Sequence, residues 1–130
     1  MARDLTALVV DDEEIMQKII SAHLSSLGVN VVGKADNGRE GIDLALTLEP
    51  DIIFLDILMP KMNGFLALQE IAGRYPNAFV IMMTSVEDEE VKRQTRLEGA
   101  QDYLLKSLPA ADLVAKLKIH VDFLKARKKP

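Results

Sequence analysis

The stretch IIFLDILMP, residues 52–60, places one carboxylate, Asp56, inside an otherwise apolar run. A short run rich in β-branched and aromatic residues is typical of a strand buried within a parallel sheet. Asp56 would be the last residue of that strand. Open α/β sheets bind their ligands beyond the carboxyl ends of the strands. The stretch therefore predicts both a parallel sheet and a functional acid at its edge.

Strands and helices alternate along the rest of the chain. The predicted strands are Leu5–Val10, Val29–Gly33, Ile52–Asp56, Phe79–Met83 and Tyr103–Leu105. The predicted helices are Glu13–Leu27, Arg39–Leu48, Gly64–Gly73, Glu87–Leu97 and Pro109–Arg127. Five strand–helix repeats with right-handed crossovers predict an α/β fold: a three-layer, doubly wound, five-stranded parallel sheet with five helices. We expect the strand order 2-1-3-4-5, which is common among such sheets, in one domain over residues 1–130.

Composition limits the classes of function. The chain has 130 residues, 48% hydrophobic and 28% charged, as in an ordinary globular protein. Its net charge of −4 argues against direct nucleic-acid binding, and the lack of cysteine excludes disulfide and thiolate chemistry. The longest uninterrupted apolar run, Ala78–Met83, is too short to cross a membrane, and the N-terminus has no signal-peptide pattern. We expect a soluble cytoplasmic protein with no membrane partner.

Three acids are predicted to meet at one edge of the sheet. The first strand ends in Asp11-Asp12, and in the expected order it neighbours the strand that ends in Asp56. Acids that begin a helix favour its dipole, which accounts for Glu13, Glu14 and part of Asp12, but not for Asp56. Clustered carboxylates raise one another's pKa unless a cation is present. Mg²⁺ is the expected ion, with Mn²⁺ as an alternative, and an acidic loop at this position argues against a nucleotide phosphate.

Two more strand ends add a hydroxyl and a cation. The fourth strand is followed by Thr84, and the fifth by Lys106. Either residue alone would be an ordinary strand end or a solvated lysine. Together with the acids and a metal, they are the groups needed to hold a phosphoryl group.

At this point the sequence resembles the receiver domain of bacterial response regulators, over nearly its whole length. The matching segments are Asp11-Asp12, Asp56–Gly64, Thr84-Ser85, Gly99-Ala100 and Tyr103–Lys106. The resemblance implies a flavodoxin-like fold in which Asp56 is the phosphoacceptor. It implies that Asp12, Asp56 and the Leu58 carbonyl bind Mg²⁺ directly and that Asp11 acts mainly through water. It also implies that Thr84 and Lys106 contact the phosphoryl group, and that Thr84 and Tyr103 form the switch.

The implied function is a switch in a two-component phosphorelay rather than an enzyme acting on a metabolite. A sensor histidine kinase or phosphotransfer protein would supply the phosphoryl group. A downstream effector protein or a missing output domain would read the face made by the fourth helix, fifth strand and fifth helix, and a homodimer on phosphorylation is left open. Two alternatives remain. One is a pseudo-receiver that binds partners without phosphorylation. The other is an Asp-nucleophile phosphatase, but such enzymes have a second acid two residues after the nucleophile, where this chain has Leu58.

The chain departs from the family pattern beside the lysine. The family usually has a proline there, preceded by a cis peptide, whereas this chain has Ser107. We expect a cis Lys106–Ser107 bond, because the lysine must reach the phosphoryl group; the alternative is a trans bond with Lys106 placed differently. Leu58 and Val86, which flank the phosphoryl group in the family, are apolar here and cannot orient a water molecule for hydrolysis. That predicts a long-lived phosphorylated form.

Overall fold

The protein alternates strands and helices without exception, in a computed structural model that describes residues 4–128. The strands are β1 (Thr6–Val10), β2 (Asn30–Ala35), β3 (Ile52–Asp56), β4 (Val80–Thr84) and β5 (Asp102–Leu105). The helices are α1 (Glu14–Ser26), α2 (Gly38–Leu48), α3 (Gly64–Arg74), α4 (Glu89–Leu97) and α5 (Ala110–Lys128). All ten predicted elements are therefore confirmed.

The five strands form one parallel sheet in the order β2-β1-β3-β4-β5. This confirms the predicted fold class and order. The direction of winding reverses between β1 and β3, where Val10 pairs with Leu55. Asp11, which follows β1, and Asp56, which ends β3, therefore meet at the point where open α/β sheets hold their ligands.

Each face of the sheet has its own hydrophobic core. Alternate strand side chains point to opposite faces, so neighbours such as Leu8 and Val9 belong to different cores. One core lies under α1 and α5, and the other under α2 and α3 with the partly buried Val91 of α4. β3 is buried along its whole length, which explains its continuous apolar sequence.

Two element boundaries differ from the sequence prediction for clear reasons. β2 continues past Gly33 to Ala35, because Ala35 pairs with Val10 and its carbonyl accepts the Asp11 N–H at 3.0 Å. α4 begins two residues later than predicted, because the Asp88 carboxylate caps the helix by accepting the N–H of Glu90 at 2.8 Å. The remaining boundaries agree within one residue.

The helices between residues 4 and 128 include none with the length and apolar character that a membrane crossing requires.

Candidate functional site

Three carboxylates lie together at the carboxyl edge of the sheet. Asp11 follows β1 and Asp56 ends β3, and each is almost completely buried, whereas Asp12 is exposed. One carboxylate oxygen from each of the three lies within 4.8 Å of the others. The predicted cluster of acids is therefore present in the structure.

Backbone contacts fix the two buried acids. The Glu13 N–H donates to Asp11 Oδ1 at 2.8 Å, and the Leu58 N–H lies 3.3 Å from Asp56 Oδ1. Gly64 begins α3 directly against the end of β3, where a Cβ atom would lie 2.2 Å from the Asp56 carbonyl oxygen. Only glycine fits at this distance, so α3 can start close to Asp56 and hold the loop that contains Leu58.

Lys106 provides the positive charge at the site. Its Nζ lies 2.8 Å from Asp11 Oδ2, 2.9 Å from Glu13 Oε1 and 3.0 Å from Asp56 Oδ2. The contacts to Glu13 and Asp56 are hydrogen bonds, whereas the contact to Asp11 is an ion pair without hydrogen-bond alignment. One buried ammonium is thus the counterion of three carboxylates.

The predicted cis bond between Lys106 and Ser107 is wrong. No peptide bond between residues 4 and 128 is cis, and Lys106 still reaches Asp56. The Lys106 N–H donates to the Thr84 carbonyl at 2.8 Å, which places the lysine backbone beside the end of β4. Because the side chain reaches the acids from this position, the chain avoids the cost of about 3–4 kcal/mol for a non-proline cis bond.

The electrostatics of the cluster shift the pKa of both Asp56 and Lys106. Burial, followed by repulsion from Asp11, raises the pKa of Asp56 to about 7, although Lys106 acts in the opposite direction. Burial alone would lower the pKa of Lys106, but its contacts with Asp11, Glu13 and Asp56 outweigh this and raise it. The acids therefore carry more negative charge than the single lysine neutralises.

The ligand set fits a hard divalent cation. Asp11, Asp12 and Asp56 offer oxygen atoms at mutually close positions, and Asp12 makes no ion pair with Lys106. Oxygen-only sets with one or two direct carboxylates and several waters are typical of Mg²⁺. The residues present thus suit the ion that the sequence predicted.

Thr84 and Tyr103 share one neighbour, Val86. The Val86 N–H donates to the Thr84 hydroxyl at 3.2 Å, and the Tyr103 hydroxyl donates to the Val86 carbonyl at 2.6 Å. Thr84 is buried at the end of β4, and Tyr103 on β5 is half-buried, with Lys92 Nζ 5.8 Å from its ring centre. The two predicted switch residues are therefore linked through the backbone of the loop between β4 and α4.

Sequence reasoning missed the part played by Glu13. It assigned this acid to the dipole of α1, yet the carboxylate contacts Lys106. One signal was available: glutamate is a poor residue for the position that precedes a helix, where Ser, Asp and Asn are preferred. His120 of α5 contacts the Phe79 ring edge-on, and its Nε2 lies 2.6 Å from Asp102 Oδ2.

A doubly wound sheet with three acids and a lysine at its switch point belongs to the class of α/β domains with a cation-binding rather than a nucleotide-binding edge. Comparison with known proteins makes the assignment specific, since the family model for the response regulator receiver domain matches residues 7–118. The chain belongs to this family, and its fold is that of a receiver domain of a two-component system.

Two curated relatives show how much of other proteins the chain covers. The response regulator protein VraR of Staphylococcus saprophyticus is 38% identical over 111 residues, which are 84% of this chain and 53% of VraR. The chemotaxis protein CheY of Thermotoga maritima is 34% identical over 110 residues, which are 85% of this chain and 92% of CheY. The chain thus spans about half the length of VraR and nearly all of CheY.

Solved structures of receiver domains are also similar to this chain. The response regulator domain of Thermotoga maritima CheB has a TM-score of 0.85 at 30% identity, and the match covers 98% of this chain and 100% of that one. The CheX–CheY–BeF₃–Mg²⁺ complex from Borrelia burgdorferi gives a TM-score of 0.83 at 29% identity, with coverage of 92% and 89%.

Proposed function

We propose that this chain accepts a phosphoryl group on Asp56 and acts as a switch in a two-component phosphorelay. The observation that carries the proposal is the placement of Asp56, a buried carboxylate at the switch point of the sheet with Lys106 Nζ at 3.0 Å. A buried acid that repels its neighbour and shares its only cation is poorly suited to a structural role. It is well suited to react with an electrophilic phosphorus atom.

In the transfer step, an Asp56 carboxylate oxygen attacks the phosphorus of a phosphohistidine on the donor protein. The phosphorus–nitrogen bond breaks, its electron pair stays on the imidazole nitrogen, and an aspartyl phosphate forms. Asp56 must be ionised to attack, and Lys106 favours that form while burial and Asp11 oppose it. Lys106 also stabilises the negative charge on the transferring oxygens.

The acids would hold the metal ion. Asp12, Asp56 and the Leu58 carbonyl would be direct ligands, and Asp11 would act mainly through water. Bound Mg²⁺ or Mn²⁺ would neutralise charge on the carboxylates and on the phosphoryl oxygens. CheY in the Borrelia complex was solved with Mg²⁺ and BeF₃, which supports this assignment by similarity.

Thr84, Tyr103 and Val86 would transmit the change. When the Thr84 hydroxyl turns to the phosphoryl group, it releases the Val86 N–H, and Tyr103 then loses its fixed partner at the Val86 carbonyl. Tyr103 would rotate inward as a result. This changes the face made by α4, β5 and α5, which biases a two-state equilibrium that a partner protein can read.

The partners follow from this scheme. A sensor histidine kinase or phosphotransfer protein donates the phosphoryl group, and a downstream effector or an attached output domain reads the altered face. The whole chain, residues 1–130, would act as one receiver domain. Receiver domains generally act as switches, and here catalysis would be confined to the chain's own phosphorylation and dephosphorylation.

The test is incubation with acetyl phosphate and Mg²⁺, followed by phosphate-affinity electrophoresis and intact mass. We expect wild type to gain one phosphoryl group that base and hydroxylamine remove and to bind beryllofluoride, whereas Asp56→Asn does neither. Asp51→Asn is the matched control, because Asp51 lies just before β3, at the opposite end of that strand. Unmodified wild type that still binds partners would favour a pseudo-receiver, and phosphorylated Asp56→Asn would overturn the assignment.

A further inference from the structure

The ammonium of Lys106 is fully surrounded before any phosphoryl group arrives. Asp11, Glu13 and Asp56 approach it at 2.8, 2.9 and 3.0 Å, and its side chain is only 8% exposed. A lysine ammonium has three N–H groups. Glu13 and Asp56 accept two of them, and Asp11 Oδ2 lies against the ammonium without accepting the third. A phosphoryl oxygen that binds Lys106 therefore competes with the three carboxylates for the space and charge around the ammonium.

Glu13 is the carboxylate that can leave. Its side chain is 54% exposed, whereas those of Asp11 and Asp56 are 0% and 3% exposed. Water replaces the ammonium around an exposed acid at little cost, so the exposed ion pair is weak. A buried acid that lost the lysine would be left as an uncompensated charge.

The fold gives the Glu13 side chain no other role. Glu13 precedes α1 at the capping position, yet its side chain makes no capping hydrogen bond. At the same position before α2, α3 and α4, Asn37, Asn63 and Asp88 all cap with their side-chain oxygens. The Glu13 backbone is fixed by its N–H bond to Asp11 Oδ1 and by its carbonyl, which accepts the N–H of Gln17. The carboxylate is therefore held at the mouth of the site, within reach of Lys106.

We propose that Glu13 is a positioning residue that holds Lys106 in the unphosphorylated protein and competes with the incoming phosphoryl group for it. The inference rests on the proposed phosphorylation of Asp56. It adds a regulatory element to that reaction, because the strength of the Glu13–Lys106 pair sets how readily the lysine becomes available. Weakening the pair speeds phosphorylation by a small donor.

The experiment measures the rate of phosphorylation by acetyl phosphate with saturating Mg²⁺. We expect Glu13→Gln to react about two- to fivefold faster than wild type, the factor that corresponds to releasing an exposed ion pair. Glu14→Gln is the matched control, because it removes the same charge one residue later, from an acid that pairs with Lys18 at 3.3 Å. We expect its rate to stay close to that of wild type.

A second arm asks whether Glu13 acts through the lysine. In a Lys106→Met background, we expect Glu13→Gln to give no acceleration. Lys106→Met and the Lys106→Met, Glu13→Gln double variant could both react too slowly to measure. In that case Glu13→Asp distinguishes a contact with Lys106 from a general charge effect, because aspartate keeps the negative charge on a shorter side chain. If Glu13 acts by contacting Lys106, Glu13→Asp should react as fast as Glu13→Gln. If only the charge of Glu13 matters, Glu13→Asp should react at the rate of wild type.

Four results would overturn the inference while leaving the proposed function intact. They are equal acceleration by Glu14→Gln, acceleration that persists without Lys106, a Glu13→Gln variant that is not faster than wild type, and a Glu13→Asp variant that reacts at the wild-type rate. A wild-type protein that is not phosphorylated, or an Asp56→Asn variant that is, overturns the proposed function itself. The two failures are therefore distinguishable.

Discussion

The two ends of the sheet differ in the balance between carboxylates and the donors that contact them. At the carboxyl end, one ammonium, that of Lys106, serves three carboxylates. At the amino end, one carboxylate, that of Asp51, has three donors: the Thr6 N–H at 2.7 Å, the Thr6 hydroxyl at 3.1 Å and Lys128 Nζ at 2.6 Å. The carboxylate at the amino end therefore has enough donors, whereas the three carboxylates at the carboxyl end share one cation.

The difference separates structural charge from functional charge. Asp51 joins the start of β1 to the end of α5 through Thr6 and Lys128, and Lys125 donates to the Leu27 carbonyl at 2.9 Å beside it. The basic end of α5 thus fastens the helix to the amino end of the sheet. At the carboxyl end, the excess of acid leaves room for a metal ion and a phosphoryl group.

The largest expected effect comes from removing each lysine in turn. Lys106→Met should slow phosphorylation by acetyl phosphate about 10²- to 10³-fold, because the transferring oxygens lose their fixed cation. It should also lower the free energy of unfolding without metal by about 3–5 kcal/mol, since two buried carboxylates lose their counterion. Phosphorylation rates and urea unfolding in EDTA measure both effects.

Lys128→Met is the matched control at the amino end. Asp51 keeps both Thr6 donors in this variant, and the ion pair is partly exposed, so we expect a loss of about 1 kcal/mol or less. The phosphorylation rate should change less than about twofold. Equal rates for the two lysine variants would show that the two ends do not differ in function.

The fold and the acid cluster at the carboxyl end of the sheet were largely predictable from the sequence. The apolar period of each element predicted the sheet, and the sheet order brought Asp11, Asp12 and Asp56 together, because parallel strands end at one edge. The Lys106–Ser107 geometry was not predictable, because it depends on where the Thr84 carbonyl holds the lysine backbone. The contact of Glu13 was missed for a similar reason, since a position before a helix does not specify where a long side chain turns.

The pH dependence of stability offers a second test of the contrast. The pKa of Asp56 is raised from 3.8 to about 7 by burial and then by Asp11, so the folded state holds this proton more tightly than the unfolded state. The contribution to stability is full below about pH 4 and is lost as the pH rises through about 7. Without metal, Asp56→Asn should therefore be more stable than wild type at about pH 8, by about 1–3 kcal/mol, with little difference at about pH 4.5.

The amino end should respond in the opposite sense. Asp51→Asn leaves Lys128 without its carboxylate and weakens the bonds from Thr6, so we expect lower stability at about pH 8, by about 1 kcal/mol. Mg²⁺ should narrow the gap between wild type and Asp56→Asn, because it binds the folded wild type. A destabilised Asp56→Asn at about pH 8 in EDTA would mean that the acid cluster is satisfied without a metal.

The smallest expected effect concerns the lifetime of the phosphorylated form. Leu58 is 60% exposed and Val86 49% exposed, and neither side chain can hold a water molecule in line with the phosphorus. Leu58→Asn supplies an amide beside Asp56, so we expect dephosphorylation about three- to tenfold faster, near the lower end of acid–base assistance.

The control is Leu97→Asn, an exposed leucine at the far end of α4, where the same change should leave the rate unaltered. An unchanged lifetime in Leu58→Asn would show that lack of a water-orienting side chain does not limit hydrolysis. The excess of acid at the carboxyl end, which repels an incoming hydroxide, would then be the remaining protection of the aspartyl phosphate.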